Sequence, residues 1–138
     1  MHELIAIAYR DETTADRAFD ELQRSAEWLR IDPDAASVLI CERDGSCRLT
    51  TSRHGGATTH WSAFWGALLE ALLDDGRPTA IDGDSRRRLR SLLVPGTSML
   101  LVAAAPPAKR SVLDALSQFG GDAVGCTLPA EPAGAADL

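Results

Sequence analysis

No apolar run in the sequence approaches the roughly 20 residues that cross a bilayer, so no spanning helix is expected. The start, Met1-His2-Glu3-Leu4, lacks a basic region followed by an apolar stretch, and no secretory signal is expected there. Lysine is almost absent: of 14 basic residues, thirteen are arginine and one is Lys109. Twenty acids outnumber them, for a net charge of -6. A net negative chain argues against nucleic acid or anionic lipid as partner, because attraction to phosphate needs a basic face. Cysteine is sparse and poorly spaced for metal. Cys41, Cys47 and Cys126 are odd in number and form no CxxC pair, so free thiols in a reducing cytoplasm, acting as small core hydrophobes, are expected. With no HxH, HExxH or GxxxxGK[ST] spacing either, no metal and no cofactor are expected.

What is present suits one globular domain. At 138 residues, 45% hydrophobic and 25% charged, the chain is long enough to enclose a core without a metal or disulfide staple. Residues 1–128 read as a single α/β domain. Residues 129–138, rich in alanine and proline and poor in large apolar groups, read as a flexible tail. The 22 alanines and the arginine bias resemble the product of a GC-rich bacterial genome.

Leu4 to Tyr9 is a continuous apolar run of strand length, which suits an inner strand covered on both faces. Thr13-Thr14-Ala15-Asp16 has the pattern of a capping box. Ala15, Ala18, Phe19, Leu22, Ala26 and Leu29 then recur at helical spacing, until Asp32-Pro33-Asp34 stops the helix. Residues 36–43 and 46–53 flank Asp44-Gly45, which predicts a hairpin with a two-residue type I′ turn and its second strand near an edge. Thr58 or Thr59 can cap a helix carrying Trp61, Phe64, Trp65, Leu68, Leu69, Leu72 and Leu73, which Asp74-Asp75-Gly76 stops. A second helix over about 84–94 would start at Asp82 or Asp84 and end at Pro95-Gly96. Residues 98–104 read as a buried strand, Pro106-Pro107 opens a helix that Gly120-Gly121 ends, and 123–128 form the last strand.

This order predicts an α/β (α+β) fold with a ferredoxin-like mixed sheet of about five strands. Its helices would lie mainly on one face, and a helix-strand unit would be added at the end.

The segment Leu93-Val94-Pro95-Gly96-Thr97-Ser98-Met99-Leu100-Leu101 resembles the PGTSAL signature of a bacterial domain-of-unknown-function family, numbered twelve sixty-nine and often labelled "predicted membrane protein". The first strand with Asp11-Glu12-Thr13-Thr14-Ala15, the block Ala63 to Leu69, and the closing stretch Val112 to Leu128 are similar to that family as well. The resemblance spans most of residues 3–128, with specificity only in the Pro-Gly-Thr-Ser segment. It implies no catalytic residue, and by loose analogy a stress-related role. This chain departs from the family where Glu70 and Asp74-Asp75 cut the middle block, in place of a long glycine-rich apolar segment.

Three groups of residues could carry function. Trp61, Phe64, Trp65, Leu68 and Leu72 form an aromatic arc that can complete the core, cover a partner, or both. A sheet with one open face predicts a homodimer or another protein partner through this arc. Tyr9, His54 and His60 could stand at the mouth of a pocket between sheet and helices, which would make the chain a small-molecule binder or an enzyme. Arg86, Arg87, Arg88 and Arg90 could contact an anion, or be a solvated helix face balanced by Asp82 and Asp84. The expected function is a cytoplasmic, self-associating binding or accessory module without catalytic activity. Peripheral membrane association through the aromatic helix is the remaining alternative, which the acidic charge disfavours.

Overall fold

The apolar runs of the sequence become the inner strands of one sheet. The computed structural model describes residues 2–31, 35–51, 60–74 and 81–128. Its strands are β1 (His2–Tyr9), β2 (Ala36–Cys41), β3 (Cys47–Thr51), β4 (Thr97–Ala104) and β5 (Asp122–Leu128). Its helices are α1 (Thr14–Leu29), α2 (His60–Leu73), α3 (Gly83–Ser91) and α4 (Lys109–Leu116); 3-10 turns at Pro106–Ala108 and Ser117–Phe119 flank the last. His54, the cap positions Thr58 and Thr59, Asp32-Pro33-Asp34, Asp75-Gly76 and the tail from Pro129 lie outside the described residues.

The strand order is β3-β2-β4-β1-β5. Every neighbouring pair is antiparallel, so the sheet is not mixed as expected. The reason is topological. The α1 connection carries the chain from β1 to a parallel β2 two places away, and β4 fills the gap running the other way. The α4 connection does the same from β4 to β5, across β1. The set β2-β4-β1-β5 is thus two interleaved split β-α-β units, consistent with a ferredoxin-like arrangement. The added unit is β3 with α2 and α3, between the second and third strands of that set, and not the closing helix and strand.

The helices lie on both faces, two on each, and not mainly on one. On one face Ile5, Ile7, Val38, Ile40, Leu100 and Val102 pack with Phe19 and Leu22 of α1 and Val112 and Leu116 of α4. On the other, Leu4, Ala6, Leu39, Met99 and Leu101 pack with Trp65, Leu68 and Leu72 of α2 and Leu89 of α3. Alternate residues of a strand point to opposite faces, so β1, β2 and β4, which carry apolar residues on both, demand a cover on each side. All six residues of β2 are buried.

The hairpin differs from expectation by one residue. The Glu42 amide donates to the Ser46 carbonyl at 2.7 Å, and the Gly45 amide donates to the Glu42 carbonyl at 3.0 Å. Within this turn Gly45 alone has positive φ, at 93°. The loop therefore has three residues, a tight turn followed by a glycine in the left-handed region, where a type I′ turn needs two positive angles. Asp44 braces it by accepting from the Ser46 amide at 2.9 Å and hydroxyl at 2.6 Å. A two-residue loop would set Cys41 opposite Arg48; the observed register sets it opposite Cys47.

The start of α1 also uses a different cap. Thr13 makes no side-chain cap bond. Asp11 accepts instead from the Thr14 hydroxyl at 2.7 Å, the Thr14 amide at 2.7 Å and the Thr13 amide at 2.9 Å. These bonds hold the Asp11 carboxyl down at about 2. A depressed folded-state value stabilises the fold fully above the unfolded carboxylate range near 4, and less as pH falls toward about 2. Asp11→Ala is expected to cost roughly 0.5–2 kcal/mol at neutral pH, as a lost helix cap does. The gap between the two proteins in urea titrations should close as pH falls from about 5 to about 2.

Candidate functional site

The α2 arc faces inward. Trp65 is 1% exposed, Leu68 2% and Leu72 0%, all within the core under the second face of the sheet. Phe64 is half-buried and meets the Trp65 ring edge-on at 4.9 Å between centroids. Trp61 falls on the first turn of α2, and its side chain is outside the described set. The expected partner surface is therefore occupied, at Trp65, Leu68 and Leu72, by the chain's own sheet. The open face that predicted a dimer is closed by α2 and α3.

Of the expected pocket residues, His54 and the side chain of His60 lie outside the described residues, and Tyr9 alone can be placed. Tyr9 belongs to the cluster under α1 and α4, whereas α2, which begins at His60, covers the opposite face. Tyr9 does line a cleft of about 310 Å³ at one end of the sheet, together with Arg10, Asp11, Phe119, Gly121 and Asp122. Its hydroxyl is buried without a hydrogen-bond partner among the described residues. Burial pushes the phenol up to about 12, so it stays protonated at neutral pH. The carboxyl of Asp11 on this cleft already serves the start of α1.

The Pro95-Gly96-Thr97-Ser98 segment closes the same end of the sheet. Gly96 adopts φ 85° and its amide donates to the Cys41 carbonyl at 2.8 Å. The Thr97 hydroxyl donates to the Val94 carbonyl at 2.6 Å. Ser98, 2% exposed, donates through its hydroxyl to the Asp11 carbonyl at 2.7 Å and accepts from the Ala15 amide at 3.3 Å. These four residues join β4 to β2 and to the start of α1. Each polar atom named here serves a turn or a helix end.

The arginines of α3 also make contacts within the chain. The Arg86 guanidinium donates to the Ala71 carbonyl at 2.9 Å and to the Asp74 carbonyl, at the end of α2. Arg87 pairs with Asp84, and Arg88 donates to the Ser85 hydroxyl at 3.3 Å. Asp82, the first of the two expected caps, accepts from the Ser85 amide at 2.7 Å. Arg90 lies in the last turn of α3. Arg86 thus ties α3 to the end of α2, and Arg87 and Arg88 make contacts within α3.

A feature that the apolar periodicity passes over lies at the other end of α1. The helix closes at Arg30, whose φ of 59° is left-handed, and the Ile31 amide reaches back to the Ala26 carbonyl at 3.0 Å. Beside this turn Trp28 is 78% exposed. With Leu29, Arg30, Pro107, Ala108 and Ser111 it lines a cleft of about 380 Å³ between the end of α1 and the start of α4. The signal was available in the sequence: Trp28 is the one aromatic of α1 that stands off the stripe of Ala15, Phe19, Leu22, Ala26 and Leu29.

Among the described residues no three His, Cys, Asp or Glu side chains cluster as a metal would require. No described helix is long and apolar enough to cross a membrane. Comparison of the chain with protein-family models, curated proteins and solved structures finds no match.

Proposed function

We propose that the chain is a non-catalytic binding module that associates with a second copy of itself through the Trp28 surface. The observation that carries this reading is an indole 78% exposed to water beside an apolar cleft on the same surface. Exposed tryptophans next to a pocket are the residues most enriched among interface hot spots. A two-fold axis pairs such a surface with itself, because each Trp28 can enter the cleft beside the other. The acidic net charge, which slows association of like chains, favours a contact carried by apolar area and not by ion pairs.

Sedimentation equilibrium tests this. The wild-type chain should be dimeric at tens of micromolar. Trp28→Ala should weaken the dimer by about 2 kcal/mol, close to thirtyfold, and leave the melting temperature of the monomer nearly unchanged. A wild-type protein that stays monomeric across that range, or a dimer indifferent to Trp28→Ala, overturns the reading.

A further inference from the structure

The three-residue hairpin loop brings together two thiols that sequence spacing keeps apart. Cys41 on β2 and Cys47 on β3 are directly opposed in register. The Glu42–Ser46 pair beside them carries the narrow hydrogen bond, at 2.7 Å, so the cysteines occupy the adjoining non-hydrogen-bonded position. Residues opposed at such a position have Cα atoms about 4.5 Å apart, the near end of the range a disulfide spans. Their sulfurs already lie 3.2 Å from one another, so bond formation requires an approach of only about 1 Å. Both thiols are free, as is Cys126 on β5.

We propose that Cys41 and Cys47 are a reversible redox pair, which a two-electron oxidant of the peroxide class converts to a cross-strand disulfide. Cys47 is half-buried while Cys41 is buried, so peroxide meets Cys47 first. Burial, with the Cys47 thiol alongside, pushes the Cys41 thiol up to about 12, which withholds it from that first attack. The Cys47 thiolate attacks one peroxide oxygen. The O–O bond breaks, hydroxide leaves and takes up a proton, and Cys47 becomes a sulfenic acid. The Cys41 sulfur then attacks the Cys47 sulfur. The S–O bond breaks, and the departing hydroxide takes the Cys41 proton. In sum two thiols and one peroxide give one disulfide and two waters, with two electrons passing from sulfur to oxygen. A dithiol reductant returns the pair to thiols by attack of its thiolate on the disulfide.

The test uses the full chain, reduced, freed of reductant and treated with hydrogen peroxide. Thiol titration after denaturation should fall from three groups to one, and the intact mass should fall by two hydrogens. Arg43 lies between the two cysteines, so trypsin separates them. A Cys41–Cys47 linkage therefore appears as two joined peptides, parted again by dithiothreitol. Cys47→Ser, a change at a half-buried edge position, should keep its two thiols free of any intramolecular bond under the same treatment. Loss of thiols to sulfinic or sulfonic acid without the joined peptides overturns the proposal. So does linkage through Cys126, linkage between chains, or retention of all three thiols under peroxide that oxidises the denatured chain.

Discussion

Trp65→Ala is expected to lower the unfolding free energy by about 3–5 kcal/mol, the range for removing a fully buried tryptophan. Trp65 is 1% exposed and packs with Leu68, Leu72, Leu89, Met99 and Leu101 between α2 and the sheet. Truncation leaves a cavity that rigid neighbouring strands cannot collapse, so the loss combines desertion by the indole with the void it leaves. Against a total stability of about 5–15 kcal/mol for a domain, the melting temperature should fall on the order of 10–20 °C. Calorimetry measures this directly. The same variant, kept at a temperature where it remains folded, should retain the self-association of the wild type. A Trp65→Ala protein that melts like wild type but no longer associates would place this side chain on a partner and remove α2 from the core.

Gly121→Ala should destabilise by about 2–5 kcal/mol without removing a single atom. Two costs add. Gly121 has φ 88°, where a side chain costs roughly 1–2 kcal/mol. A Cβ built there would also stand 2.8 Å from the Ala8 carbonyl oxygen, 2.8 Å from the Tyr9 ring and 2.9 Å from Ile7. The first of these neighbours is backbone inside β1, so it cannot swing aside, and overpacking of this kind costs about 1–3 kcal/mol. Gly120, at φ 72° and ψ -143° with open space around it, is a control free of the clash: Gly120→Ala should carry a backbone cost alone. Denaturant midpoints of the two variants separate the terms. Equal losses at both positions would show that the close passage of the chain over Tyr9 has no energetic weight.

Much of the fold was legible in the residues, and the errors have identifiable physical sources. The five strands and four helices follow from runs of Leu, Ile, Val and Ala bounded by Pro, Gly and Asp. The layering was also written there, in β1, β2 and β4, whose residues are apolar at odd and even positions alike. A strand facing water on one side alternates; these do not. The helices on one face contradicted that pattern, and the pattern prevails. The hairpin register was not legible, because Asp-Gly suits both the two-residue and the three-residue loop, and only the sign of φ at Asp44 separates them. With the register went the pairing of Cys41 and Cys47.

The candidate site was legible only in part. Aromatic density drew attention to α2, yet a helix with Trp65, Leu68, Leu72 and Leu89 beside it is what the second face of the sheet needs. Trp28 was passed over because it is a single residue off a strong amphipathic stripe, and its exposure depends on how α1 ends at Arg30. The charge of the row Arg86 to Arg90 can be read from sequence, whereas the Ala71 and Asp74 carbonyls that receive Arg86 cannot.

The hydrogen bond from the Gly96 amide to the Cys41 carbonyl marks where the chain departs from the four-strand frame and where it rejoins it. Cys41 and Thr97 are neighbours across adjacent antiparallel strands. Everything between them, the edge strand and both helices of the second layer, is therefore a detour that begins and ends at a single doorway. A tight link across that doorway would strip Leu4, Ala6, Leu39, Met99 and Leu101 of their cover. This chain carries its own roof for that side, inserted whole at one point of the frame.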